Sequence, residues 1–269
     1  MCRNLNVSKA GYYAWRGRSQ SQRCKDDALL TLEIEKAHRK SRSEYGSPRV
    51  HVELRNQGHR IGRKRVARIM KAHGLRGKKR HRSKASSPSP GIMPAASNLV
   101  NRTFNVARPN VTWATDITQF ATAEGWLYLA VALDLYSRMV VGWSMGRKND
   151  STLAVSALQM ALGRRRHPTP MIHSDRGRPF TSEKYYQFLA DRSLTASMSR
   201  KGDCWDNAVV ESFFATLKSG VKPDRLWRTR NQARAAIFDY IETWYNTERQ
   251  HSHLGYISPR NFEAKSCVN

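Results

Sequence analysis

Residues 111–145 read VTWATDITQFATAEGWLYLAVALDLYSRMVVGWSM, and the period of this stretch decides the fold. Val111–Phe120 is dense in β-branched and aromatic residues, and Trp126–Leu135 and Ser137–Met145 repeat that composition. Runs of this kind bounded by turns read as strands. The tight Asp134-Leu135-Tyr136-Ser137 turn joins the second run to the third, so three antiparallel strands in meander order are expected. Further along, the pattern alternates. Ser151–Leu162 sets Leu153, Ala154, Ala157, Leu158 and Ala161 on one side of a helix, and Met171–Ser174 is a short buried strand. Thr181–Asp191 reads as a helix, Thr195–Ser199 as a strand, Asp206–Lys218 as a helix and about Arg230–Tyr245 as another. Three strands followed by helix, strand, helix, strand, helix describe an α/β unit with a mixed sheet.

Upstream, the chain reads as short helices. Val7–Trp15 carries a Ser8 cap and aromatics at helical spacing, and Ala28–Lys40 sets Leu29, Leu30, Ile34 and Ala37 on one side. Pro48 opens a helix that Gly58 closes, and Gly74 stops a further helix that begins near Ile61. In that helix Val66, Ile69 and Met70 face a small core while Arg63, Lys64, Arg65 and Arg68 point outward. A short basic helix after a turn is how a helix-turn-helix offers a recognition helix to the major groove, although a solvated amphipathic helix has the same pattern. Arg76, Lys78, Lys79, Arg80, Arg82 and Lys84 follow directly. The Ser/Pro-rich text of residues 85–103 has the composition of a linker.

The charge fits this division. The net charge is +26, and residues 1–103 hold 25 of the 47 Lys and Arg but only 6 of the 21 Asp and Glu. Such an excess predicts attraction to a polyanion that weakens with salt. Cys2, Cys24, Cys204 and Cys267 show no CxxC spacing and there is no secretory signal, which excludes a disulfide framework and a cysteine-pair zinc site. No apolar run is long enough to span a membrane, so the expected compartment is a reducing cytosol.

Three acids stand out. Asp116 interrupts an apolar strand, which is costly without a partner. Asp175 directly follows a buried strand, where α/β sheets assemble their sites, and Glu211 lies on a helix 35 intervening residues further on. Singly, Asp175 reads as a turn residue and Glu211 as a surface charge; together they make a candidate cluster. Among the other acids, Asp134 is assigned to its hairpin turn, Asp206 to the N-cap of the helix carrying Glu211, and Asp203 to a loop contact. His173 either supports the site from behind or is a core imidazole.

The words TWATDITQF, LDLYSRMVVGWSM, HSDRG, SRKGDCWDNAVVESFFATLK and YNTERQHSHLGYISP, with EYGSPRVHVELRNQGHRIGRKRVARIM before them, resemble the second-reading-frame insertion-sequence transposases of the DDE transposase and retroviral integrase superfamily. The resemblance covers essentially the whole chain. It implies a ribonuclease-H-like catalytic core at residues 104–222 and a C-terminal helical extension at 223–269, preceded by a helix-turn-helix DNA-binding region at 1–84 and a linker at 85–103. It places the catalytic, metal-holding carboxylates on Asp116, Asp175 and Glu211, with two Mg²⁺ or Mn²⁺ ions as cofactors, Asp116 bridging them. It implies metal-dependent cleavage at mobile-element ends followed by strand transfer. The alternatives are an inactive DNA-binding regulator, which would lack one of the carboxylates, and a ribonuclease-H-like nuclease that does not join. Expected partners are double-stranded DNA, both element ends and target, and further copies of the chain on that DNA. An upstream-frame product is also expected, fused before Met1 or acting separately, and no membrane. The expected location is cytoplasmic, on the nucleoid. Arg63, Lys64, Arg65 and Arg68 are the expected DNA contacts of the first region. Lys218, on the same helix face as Glu211 seven residues earlier, is the expected contact beside the cleavage site.

Overall fold

In a computed structural model the chain forms two compact units, residues 1–78 and 79–269; residues 7–78, 94–101, 104–200, 204–221 and 226–266 are described here.

The first unit is helical: α1 Lys9–Arg16, α2 Gln22–Lys40, α3 Ser47–Asn56 and α4 Arg63–Ala72. Ser8 caps α1 by accepting the Gly11 N–H at 2.9 Å. The second helix begins at Gln22 rather than near Ala28, because Ser21 supplies a cap of the same kind to Cys24. Its buried side is Thr31, Ile34, Ala37 and His38, and Leu29 lies on the exposed side, contrary to the helix face expected from sequence. In α4, Val66, Ile69 and Met70 are buried as expected. Gly58 and Gly74 both adopt positive φ just past their helices, where a side chain would be strained.

The second unit is built on one five-stranded sheet: β1 Thr112–Thr122, β2 Gly125–Asp134, β3 Val140–Gly146, β4 Met171–Ser174 and β5 Thr195–Met198. The spatial order is β3-β2-β1-β4-β5. The β1–β2 and β2–β3 pairs are antiparallel, and β1–β4 and β4–β5 are parallel, which is the mixed sheet the alternation requires. The helices are α5 Ser151–Arg164, α6 Glu183–Ala190, α7 Ala208–Gly220, α8 Arg230–Asp239 and α9 Pro259–Ser266. Alternation along β1 sends Trp113 and Ile117 to one face, where they meet Leu158, Ala161, Tyr185 and Phe188 of α5 and α6. That face is packed closely: a Cβ on Gly142 would stand 2.3 Å from the Ala157 carbonyl oxygen. Asp116, Thr118 and Phe120 point to the other face, where α7 and α8 bury Val210, Phe213, Leu217, Ala233 and Ile237.

Beyond α8 the chain widens into a π-helical turn, Tyr240–Tyr245, rather than continuing as one α-helix to Tyr245. This turn delivers Asn246 to the sheet edge. The Asn246 amide donates to the Val140 carbonyl and accepts the Val140 N–H, both at 3.0 Å, so it pairs the free edge of β3 at its first residue. From α9, Glu263 accepts both guanidinium arms of Arg165 at 2.6 and 2.8 Å and the Ser137 hydroxyl. The C-terminal words of the sequence therefore brace the β2–β3 hairpin. Among the described residues no helix is long and apolar enough to cross a membrane.

Candidate active site

The ladder between β1 and β4 pairs Ala114 with His173 in parallel register. Two residues beyond that pair along each chain lie Asp116, within β1, and Asp175, one residue past the end of β4. Glu211 projects from the first turn of α7, which packs on β1. The apolar side of that helix, Val210, Phe213, Phe214 and Leu217, is buried as the sequence predicts, leaving Glu211 exposed.

Asp116 and Asp175 are half-buried and each has one short backbone tie. Asp116 Oδ1 accepts the Ile117 N–H at 2.7 Å, and Asp175 Oδ1 accepts the Gly177 N–H at 2.9 Å. The three carboxylates lie in one another's electric field. Burial first, then the negative charges of Asp175 and Glu211, push the Asp116 carboxyl well above the usual range. Burial raises Asp175, and burial with the charge of Asp175 raises Glu211. Like charges brought together in partly dehydrated space do this to each other. Lys218 is the positive group that opposes them: it is half-buried, its field lowers the Asp116 pKa, and its Nζ lies 6.0 Å from the centre of the Phe120 ring. Its own pKa is lowered by burial and partly restored by Asp116.

The donor set fits a hard divalent cation, since it offers carboxylate oxygens whose mutual repulsion a cation relieves. Among the described residues, however, no three His, Cys, Asp or Glu side chains are gathered closely enough to hold an ion as they stand.

His173, left open between two roles by sequence, is fully buried. Its Nε2 meets the Asp206 carbonyl at 2.9 Å and its Nδ1 meets the Ser197 hydroxyl at 2.9 Å. A carbonyl can only accept, so Nε2 carries the proton and Nδ1 accepts from Ser197. Burial lowers the His173 pKa, in keeping with a neutral ring. The imidazole thus ties β4 and β5 to the 3₁₀ turn Cys204–Asn207 that leads into α7.

The N-cap expected at Asp206 is corrected: Asn207 is the N-cap of α7, and the Asp206 carboxylate turns inward instead. It accepts Arg200 N–H at 2.9 Å, Arg200 Nε at 3.0 Å and Arg200 NH2 at 2.9 Å. Sequence reasoning missed this pair, because an Asp just before a helix is a stronger local signal than a partner six residues back. Asp134 keeps its turn role, accepting the Asn110 and Tyr136 N–H groups at 2.7 and 2.8 Å. Asp203 lies outside the described residues.

In the first unit, Arg63 and Lys64 are exposed at the start of α4. Arg65 and Arg68 are held by one carboxylate of α2: Arg65 Nε donates to Asp27 Oδ1 at 2.7 Å and Arg68 donates to Asp27 Oδ2. The two guanidinium groups hold the Asp27 carboxyl below its ordinary value. Of the basic run after α4, Arg76 and Lys78 are described, and Lys79, Arg80, Arg82 and Lys84 lie outside the described residues.

An HTH-like domain family matches residues 25–83, and integrase core domain families match residues 106–204 and 192–259. The chain is 42% identical over 266 residues to the insertion element IS600 uncharacterized 31 kDa protein of Shigella sonnei, covering 98% of each. It is 42% identical over 276 residues to the transposase InsF for insertion sequence IS3A of Escherichia coli (strain K12), covering all of this chain and 94% of the relative. Among solved structures, it is similar to a chain of the simian T-cell lymphotropic virus intasome in complex with PP2A regulatory subunit B56 gamma. That match has a TM-score of 0.50 at 16% identity, over 86% of this chain and 74% of that one, a likeness of fold.

Proposed function

The chain belongs to the insertion-sequence transposases built on an integrase core domain, as metal-dependent polynucleotidyl transferases, and from that premise we propose that Asp116, Asp175 and Glu211 are its catalytic carboxylates. The observation that supports this reading is the placement of the three acids: Asp116 lies in β1, Asp175 just past the adjacent parallel β4 and Glu211 on the helix packed over β1, and the charge of Asp175 acts on both Asp116 and Glu211. Divalent ions, Mg²⁺ or Mn²⁺ and two in number, would supply Lewis-acid stabilisation of the attacking and leaving oxygens. Asp116, Asp175 and Glu211 would hold these ions between them.

The protein's own contribution is placement. The β1–β4 register fixes the two aspartates, and the packed face of α7 sets the arc through which Glu211 reaches them. Lys218 stands on the α7 face that carries Glu211 and presents its charge to a DNA phosphate beside the cleaved bond. The reaction is in-line attack of water at the element end, freeing a 3′-hydroxyl that then attacks a second phosphodiester. The DNA ends are gripped by the first unit, with Arg63 and Lys64 contacting phosphate or bases directly. Arg65 and Arg68 act from their Asp27 ion pair, which sets the pose of α4. Copies of the chain pair on the element ends, the upstream-frame product joins them by fusion or association, and the work is done at the nucleoid. The division into residues 1–84, 104–222 and 223–269 follows these roles, while residues 94–101 of the expected linker 85–103 pack against the second unit.

The deciding experiment is Asp175→Asn, which keeps the shape and the acceptor for the Gly177 N–H. It should abolish cleavage of element-end DNA and leave end binding at wild-type strength. Substantial metal-dependent cleavage by this variant would remove Asp175 from the site.

A further inference from the structure

Residues 94–101 precede the integrase core match, which begins at residue 106, and follow the HTH-like match, which ends at 83. Their sequence has a linker's composition, yet they are built into the second unit. Val100 is buried and Ala96 packs against the α5–α6 core. Ser97 O accepts the Met198 N–H at 3.2 Å at the end of β5, and Pro94 O accepts the Tyr186 hydroxyl at 3.0 Å. The Leu99 N–H donates to Ser197 Oγ at 3.0 Å, the same hydroxyl that serves His173. Asn98 goes furthest in. Its Oδ1 accepts the Asn101 N–H at 2.9 Å, which orients the amide, and its Nδ2 donates to Asp206 Oδ2 at 2.7 Å. That oxygen also receives two of the Arg200 donors, and Asp206 is 1% exposed.

We propose that Asn98 is a positioning residue for catalysis, acting through the Asp206 turn on the approach of Glu211 to Asp175. The path is short and continuous. Asn98 and Arg200 fix the Asp206 carboxylate, while the Asp206 carbonyl is fixed by His173 of β4, two residues before Asp175. Two residues after Asp206, past the Asn207 N-cap, α7 begins, and Glu211 is in its first turn. The Asp206 turn is therefore the joint between the strand that carries Asp175 and the helix that carries Glu211. A buried carboxylate that loses a donor re-sorts its remaining partners, and a small rotation of this turn is magnified at the end of the Glu211 side chain. The proposal rests on Glu211 being a catalytic carboxylate.

The test is Asn98→Ala in the full-length protein, with Val100→Ala as a packing control on the same segment. Cleavage of element-end DNA, end binding, melting temperature and Mn²⁺ binding to the DNA-free protein are measured together. Asn98→Ala is expected to slow cleavage roughly ten- to a hundredfold, the scale of a small misplacement of reacting groups. It also weakens Mn²⁺ binding and leaves end binding unchanged. Val100→Ala lowers the melting temperature with Mn²⁺ affinity unchanged. Wild-type cleavage and Mn²⁺ affinity in Asn98→Ala overturn the proposal, and so do equal losses of both in the two variants at matched melting temperature. Glu211→Gln is run alongside. If it cleaves and binds Mn²⁺ as wild type does, the carboxylate assignment fails, whatever Asn98→Ala shows.

Discussion

Asp116 has its charged form disfavoured by burial and by two neighbouring carboxylates, and the sign of that effect has a measurable consequence. A carboxyl whose folded pKa is raised binds more protons folded than unfolded at intermediate pH. The metal-free protein therefore loses stability as pH rises from the ordinary carboxylate range through the raised value. Asp116→Asn removes the charge and keeps the shape. It should raise the metal-free melting temperature at neutral pH, on the order of a few degrees for a chain of this size, while abolishing cleavage. Mg²⁺ should stabilise wild type and leave the variant nearly unmoved, since ligand binding to the folded state alone stabilises it. A metal-free melting temperature lower in Asp116→Asn than in wild type would contradict the charge crowding on which the site reading rests. His173, with Nε2 committed to a carbonyl and Nδ1 to a hydroxyl, has no lone pair left for a metal.

Elements carry the next level. The β3 strand is an edge of the sheet, and an uncovered edge offers its backbone groups to other chains. Here the π-helical turn after α8 supplies Asn246 as a substitute partner for Val140. Asn246→Ala leaves a buried N–H and a buried C=O unpaired, which should cost about 1–3 kcal/mol for each group left unsatisfied, reduced where water enters. Chemical denaturation should show this loss with end binding unaffected. Unchanged stability would mean that the edge is covered in another way. Within α7 the division of labour is equally clear. Val210, Phe213, Phe214 and Leu217 are buried, whereas Glu211 is exposed and Lys218 sets its Nζ 6.0 Å from the centre of the Phe120 ring.

The uneven charge is the ground for the proposal that the first unit grips DNA. A fragment ending near Lys84 should bind element-end DNA, with an association constant that falls steeply and linearly on a log–log plot against salt. Filter binding or fluorescence anisotropy across salt concentrations reads the slope. Equally tight and selective binding by residues 104–269 alone would refute this division. The first unit is compact enough by its own contacts to be studied in this way.

Much of this was legible in the sequence because it depends on local pattern. The switch from helical to strand period near Val111, the Pro and Gly punctuation of α3 and α4, the buried side of α7 and the meander β1–β2–β3 all follow from side-chain spacing. The candidate acids were found by a charge in an apolar strand and by the family words around them. Other features join residues far apart in the chain and exist only once folding has brought those residues together. Asp27 holds Arg65 and Arg68 from 38 and 41 residues away, and Asn246 closes the edge of β3 from 106 residues away. Asp206 turns from the helix cap to Arg200 and Asn98, the latter 108 residues earlier. The reason is physical: local spacing fixes which face of an element is apolar, but the partner of a buried polar group is whichever donor or acceptor folding brings to it.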